Sequence, residues 1–319
     1  MMEKGEFELI EWIKAQFPVP DGILGIGDDC AVLPQREGVE TLVSTDMLVE
    51  GVHFLLKDID PYSLGWISAA VNLSDIAGLG GKPVGTFLCC ALPKGLEEGF
   101  IEGFFNGYKD ISSRFDCPLL GGDTTSSKDR LCINVTVLGE CPAGLSHKRS
   151  QAKPGDLVCV TCPLGDSAAG LKIILEGSVN DEQERILRER HCRPVPRVEE
   201  GLRLRAIPGV NAMMDISDGI GSDLRHILKA SGAAARIDVR SLPFSKEMQD
   251  VCDRRGWDPV ELATDGGEDY ELLFTCRPGT TVPVPHTVIG EILSTGSGRA
   301  AGMVEWVGSN RDYKGFRHF

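Results

Sequence analysis

No stretch of the 319-residue chain approaches the ~20 consecutive apolar residues that a membrane helix needs; runs such as Leu131–Leu138 are broken well before that. Positive charge is scarce too. Lys and Arg total 33 against 47 Asp and Glu, a formal net charge of −14. A nucleic-acid partner is therefore not expected, because such binding rests on basic surface that displaces counterions. The histidines, at 53, 147, 191, 226, 286 and 318, make no zinc-like pair at helical spacing with another His or Cys. The usual nucleotide signatures are missing as well. Gly78-Leu-Gly-Gly-Lys82 lacks the spacing and the Ser/Thr of a P-loop. The protein-kinase catalytic loop is absent, and Gly219-Ile-Gly221 completes no dinucleotide fingerprint. If the protein uses ATP, the phosphates must be held by metal ions and glycine-rich backbone. Magnesium reconciles an acidic chain with an anionic substrate, because it bridges carboxylate and phosphate.

What is present fits an ordinary globular protein: 42% hydrophobic and 25% charged residues, enough for a core in each of two domains. The polar start, Met1-Met-Glu-Lys-Gly-Glu6, has no signal-peptide core, so a cytoplasmic location is expected. Eleven cysteines, an odd number, argue against a disulfide framework. Cys159-Val-Thr-Cys162 lies in an apolar strand-like run rather than at a helix start, and its cysteines are expected to pack as small hydrophobes.

Hydrophobic periodicity places a helix over 7–17 and a second starting at Asp60-Pro61, with Asp60 as N-cap and a stripe Leu64, Ile67, Val71. A third carries Leu96, Phe100, Phe104, Ile111 and Phe115. Strand-like runs at Thr41–Thr45, Thr86–Leu92 and Leu131–Leu138 alternate with them. The Pro- and Gly-rich stretch Cys141–Asp156 marks the boundary between domains taken as 1–145 and 146–319. Beyond it come a strand at Leu157–Thr161 and helices at Ser167–Leu175, Asp181–His191 and Arg197–Ile207. Strands at Ala212–Asp215 and Glu271–Thr275 enclose a helix over Gly219–Ser231. This is an α/β fold of mixed layers.

The acids fall at repeated places. Asp28 and Asp29 follow Gly25-Ile-Gly27, Asp46 ends Leu42-Val-Ser-Thr45, and Asp123 follows Gly121-Gly122. Asp215 and Asp218 follow Ala212-Met-Met214, and Glu268 and Asp269 follow Gly266-Gly267. Each is expected where an apolar run gives way to a turn, the place where α/β proteins build sites. Any one of them could equally be a turn former or helix cap; their number favours a site. Asp75 falls on the apolar stripe of its helix, where a carboxylate needs a partner, a proton or a metal. His53 in Glu50-Gly-Val-His53 and Arg149 in the basic cluster His147-Lys-Arg149 are further candidates, beside their readings as a loop histidine and a solvated charge.

Together these motifs resemble the thiamine-monophosphate kinase family, within the aminoimidazole-ribonucleotide synthetase-like superfamily. The resemblance runs through Gly25-Ile-Gly-Asp-Asp29, Ser44-Thr-Asp46, Gly51-Val-His-Phe54 and Ala70-Val-Asn-Leu-Ser-Asp75. It continues through Gly121-Gly-Asp-Thr124, Lys153-Pro-Gly-Asp156, Asp215-Ile-Ser-Asp-Gly219, Gly266-Gly-Glu-Asp-Tyr-Glu-Leu272 and Lys314-Gly-Phe-Arg-His-Phe319. It implies an N-terminal ATP- and magnesium-binding domain that dimerises through its strands, and a C-terminal synthetase-like domain. It implies several Mg2+ ions, ATP as co-substrate and thiamine monophosphate as acceptor. Asp29, Ser44, Thr45, Asp46, Asp75, Asp123, Asp215 and Asp218 match magnesium ligands. Phe105, Gly122, Asp123, Arg149 and Ser217 match nucleotide-binding positions, Phe105 replacing a frequent Tyr. His53, Glu268 and Phe316 match positions that hold thiamine phosphate. No general base is expected. Another ATP-using enzyme of the superfamily and a metal-dependent phosphatase stand as alternatives.

Overall fold

The computed structural model describes Trp12 and residues 15–17, 37–177, 179–296 and 298–316. Most of the expected helix over 7–17, and Asp28 and Asp29, lie outside the described residues. The chain divides into two compact units, 1–76 with 81–144, and 77–80 with 145–319.

The first unit contains β1 (Val39–Val49), α1 (Pro61–Gly78), β2 (Lys82–Leu92), α2 (Phe100–Arg114), β3 (Leu119–Ser126) and β4 (Cys132–Pro142). Its sheet has the order β1-β4-β2-β3, antiparallel except for the β2–β3 pair, which α2 connects as a crossover. Asp60 caps α1 as expected: its carboxylate accepts the Ser63 N–H at 2.9 Å and the Ser63 hydroxyl at 2.6 Å. Leu64, Ala69, Ala70, Leu73 and Ala77 are fully buried, so α1 is covered on nearly every side rather than along one stripe. It approaches α2 through a reciprocal pair of glycines. A Cβ on Gly65 would sit 1.8 Å from the Phe104 carbonyl oxygen, and one on Gly107 1.8 Å from that of Tyr62.

Two expectations are corrected here. β1 continues past Thr45 to Val49, so Asp46 lies inside a strand. Gly121-Gly122-Asp123 is not a turn but the middle of β3. Gly122 makes this possible: at φ 155° it lets β3 approach β2 so closely that a Cβ would lie 1.8 Å from the Leu88 carbonyl oxygen. The glycine pair serves strand packing, which reads as a turn signal when the partner strand is unknown.

The second unit contains β5 (Leu157–Val160), α3 (Asp166–Glu176), α4 (Glu182–Cys192), α5 (Val198–Arg205), β6 (Val210–Asp215), α6 (Ile220–Ser231) and β7 (Ala233–Asp238). It continues with α7 (Lys246–Arg255), α8 (Pro259–Asp265), β8 (Leu272–Cys276), β9 (Thr287–Ser294) and β10 (Val304–Val307). The sheet order is β10-β7-β9-β5-β8-β6. Val158, Val160, Ala212, Leu224, Ile227, Ile237 and Leu273 share its main core. β7, with its run Ala233-Ala-Ala235, has helix-forming composition; burial between β10 and β9 makes it a strand. The ten described cysteines are free, and Cys159 Sγ faces Cys276 Sγ at 3.8 Å rather than Cys162. Among the described residues no helix is long and apolar enough to cross a membrane.

Candidate functional site

In the first unit the site is built on a strand and a helix. Along β1, Thr41, Val43, Thr45 and Met47 are exposed while the residues between them are partly covered. Leu42 and Ile76 of α1 both border Gly81, and Ser44 bonds Asp75 of α1, so the face carrying Leu42, Ser44 and Asp46 is turned to α1. Asp75, half-buried one turn before the end of α1, meets it there. The Ser44 hydroxyl donates to Asp75 Oδ2 at 2.5 Å. Asp46 is pushed up to about 7, first by burial and then by the charge and hydrogen bonding of Asp75. Two carboxylates and a hydroxyl converging in partial burial form a hard-oxygen set that a cation would relieve.

Not every expected ligand joins them. Thr45 is one residue out of phase: its hydroxyl lies on the opposite face, bonded to the Val135 carbonyl at 3.1 Å and beside Thr136 Oγ1 at 3.1 Å. Only the Thr45 main chain could serve an ion held by Asp46. Asp123 is exposed on β3 and paired with Cys89, which pairs with Asn134, which pairs with Met47. It therefore shares the Thr45 face and lies three strand spacings away, roughly 14 Å. The structure does not bring Asp123 to the Asp46–Asp75 pair. Phe105 is buried among aromatic rings. It is 6% exposed, with rings of Trp12, Phe17 and Phe104 at 5.7, 6.1 and 5.5 Å. It borders a small apolar cavity with Cys90, Thr124 and Ile133. His53 sits in the turn after β1, its Nδ1 accepting the Val49 N–H at 3.0 Å.

In the second unit the expected residues do converge. Asp215 ends β6, 4% exposed, and Ser217 and Asp218 follow in the loop before α6. Asp223, in the first turn of α6 and 1% exposed, accepts the N–H groups of Ser217 and Asp218, each at 3.1 Å. Burial, Asp215 and Asp218 push the Asp223 carboxyl well up. Asp223 escaped the sequence reading; its one signal was an acid in the first turn after Asp215-Ile-Ser-Asp218. The Glu268 N–H donates to the Ser217 carbonyl at 2.8 Å, and the Phe316 N–H to the Asp218 carbonyl at 2.8 Å. Glu268 is pushed up to about 7 by burial and by Asp218. Thus Asp215, Ser217, Asp218, Glu268 and Phe316 occupy one neighbourhood. Arg149 opens a short 3₁₀ turn, exposed, its carbonyl accepting from Ser231 Oγ of α6 at 2.8 Å. Among the described residues no group of three or more His, Cys, Asp or Glu is arranged to hold a metal ion. Pairs remain, and magnesium commonly binds one or two carboxylates, taking its other ligands from water and substrate phosphates.

A two-unit α/β fold with acids at strand and helix junctions defines a class, and comparison with known proteins names it. Residues 27–141 match AIR synthase related protein, N-terminal domain, and residues 153–282 match AIR synthase related protein, C-terminal domain. The chain belongs to this family, and within it to the thiamine-monophosphate kinases. It is 40% identical over 331 residues to thiamine-monophosphate kinase of Salmonella typhimurium, covering 100% of this chain and 99% of that protein. The crystal structure of thiamine-monophosphate kinase from Stenotrophomonas maltophilia K279a superposes with a TM-score of 0.83 at 36% identity, covering 96% and 98% of the two chains. AaThiL complexed with AMPPCP and TMP gives 0.82 at 34%, covering 100% and 98%.

Proposed function

We propose that the protein transfers the γ-phosphoryl group of ATP to thiamine monophosphate, giving thiamine diphosphate and ADP, with magnesium ions held by its carboxylates. Full-length kinship with thiamine-monophosphate kinases carries this reading. The Asp46–Asp75 pair supports the metal, because two carboxylates and a hydroxyl sharing a half-buried place form a set of hard oxygen donors whose mutual repulsion a cation would neutralise. In the first unit Asp46, Asp75 and Ser44 are assigned to magnesium, joined on motif grounds by Asp29 and by the Thr45 main chain. In the second unit Asp215 and Asp218 are assigned to it, with Asp223 bracing their loop. On motif grounds Phe105, Gly122, Asp123, Arg149 and Ser217 are assigned to the nucleotide, and His53, Glu268 and Phe316 to thiamine monophosphate.

The chemistry needs no proton acceptor from the chain. A phosphomonoester loses its second proton at ~6, so the acceptor is mostly a dianion at neutral pH. Bound magnesium would neutralise the repulsion between the two anions and the charge on the transferring group. The chain positions both phosphates for in-line displacement, and its contribution is placement and electrostatics. Val43 and Met47, 63% and 57% exposed on the outer face of β1, support a homodimer through the strands of the first unit. A cytoplasmic location is proposed with it.

The test is ADP formation with and without thiamine monophosphate, with the product identified by chromatography. Acceptor-dependent thiamine diphosphate is expected; phosphate release indifferent to the acceptor would make the protein a metal-dependent phosphatase instead.

A further inference from the structure

The loop bearing Glu268 is held far more firmly than a surface turn requires. Glu268 and Tyr270 both have positive φ, 65° and 51°, a conformation non-glycine residues adopt only under constraint. The constraints are visible. The Glu268 and Tyr270 N–H groups donate to the carbonyls of Ser217 and Ile216 at 2.8 and 2.9 Å. Between them, the Asp269 carboxylate takes the N–H groups of Gly165 and Ser167 at the start of α3, at 2.7 and 3.2 Å. Fixing the backbone this way still leaves the Glu268 side chain free to rotate.

One group meets that side chain from behind. His191, near the end of α4, lies 8% exposed, with Nδ1 3.5 Å from Glu268 Oε2 and 3.0 Å from Ser167 Oγ. It gets there because α3 and α4 pack at backbone contact. A Cβ on Gly170 of α3 would lie 2.3 Å from the Leu187 carbonyl oxygen and 2.9 Å from His191 Cβ. The His191 side chain is 10% exposed and that of Glu268 30%, so the pair has a buried end and an open end. The histidine is at the buried one.

We propose that His191, backed by Ser167, is a positioning residue that sets the rotamer of Glu268 for binding thiamine monophosphate. The inference rests on the assignment of Glu268 to that substrate. Nδ1 is hydrogen-bonded to Ser167 Oγ at 3.0 Å, and the imidazole edge so fixed lies 3.5 Å from Glu268 Oε2, bracing one carboxylate oxygen and leaving the other to face the ligand. His191 itself touches no substrate atom. Its loss therefore loosens acceptor binding while sparing ATP and the chemical step.

Kinetics of the full-length wild type, His191→Phe, His191→Asn and Glu268→Gln test this, each variant first checked for native circular dichroism. Asparagine can place an N–H near the position of Nδ1; phenylalanine fills the space without one. The expected result is a KM for thiamine monophosphate raised about tenfold in His191→Phe, with KM for ATP and kcat within about threefold of wild type. His191→Asn should recover most of the loss. Combined with Glu268→Gln, His191→Phe should add little, since the two act through one contact. An unchanged acceptor KM in His191→Phe, or no recovery by Asn, overturns the inference. So does additivity with Glu268→Gln. If His191→Phe does not fold, His191→Leu takes its place, with the same rise of KM expected and no rise overturning the inference. A wild type without acceptor-dependent turnover overturns the parent assignment instead, and this one with it.

Discussion

Replacing Asp46 by asparagine isolates the cost of holding two carboxylates together between β1 and α1. Burial and the Asp75 charge push Asp46 up from 3.8 to about 7. A carboxyl raised on folding contributes its stability below its unfolded value, and that stability is lost as pH rises through the folded one. The window here is therefore pH 4 to 7, and the direction is opposite to that of a salt-bridged aspartate. At pH 8, with both groups ionised and no metal, the difference is at most about 4 kcal/mol. Water reaching this half-buried pair reduces the expected cost to about 2 kcal/mol. Asp46→Asn should therefore be more stable than wild type at pH 8 in EDTA by about 2 kcal/mol, and indistinguishable from it near pH 4. Urea unfolding at both pH values measures this. Magnesium should stabilise the wild type at pH 8, by about 1.4 kcal/mol at ten times its dissociation constant, and the variant much less. The variant should have lost turnover. An Asn variant no more stable than wild type at pH 8 in EDTA would refute the claim that this pair is strained without a cation.

The remaining predictions concern other parts of the molecule. Gly107→Ala should destabilise the first unit by about 3 kcal/mol, because the new methyl would meet the Tyr62 carbonyl at 1.8 Å and push α1 from α2. The helix-propensity gain of ~1 kcal/mol offsets only part of this, and chemical denaturation gives the sign. Burial depresses His191 from 6.5 to about 4, so below pH 6.5 protons favour the unfolded chain. Unfolding free energy should therefore fall between pH 7.5 and 5 by about 2 kcal/mol more in wild type than in His191→Asn; equal falls would contradict a buried neutral histidine. Met47→Asp should convert a dimer to monomers in sedimentation if the exposed face of β1 is the interface, and leave mass unchanged if it is not.

What could be read from the chain alone follows from what each signal depends on. The cap at Asp60 and the acids at 215 and 218 depend on neighbours in sequence: a turn residue before an apolar run, an acid after one. The faces of Thr45 and Asp123 depend on register, which has period two, so one residue decides whether a side chain meets Asp75 or solvent. Gly122 looked like a turn because its partner, the Leu88 carbonyl, is remote in sequence. Phe105 has the spacing of a helix face but not the information that Trp12 and Phe17 cover it. Asp223, whose one local signal is an acid in a first helical turn, and His191 are hard to read for the same reason: each is defined by a loop or helix that folding brings to it.

The most direct test of the central claim is the fate of radiolabel from γ-labelled ATP incubated with thiamine monophosphate and magnesium. Label should appear in thiamine diphosphate only when acceptor and metal are both present, disappear with EDTA and never become covalent on the protein. Label released as phosphate without acceptor, or trapped on the chain, would contradict direct transfer.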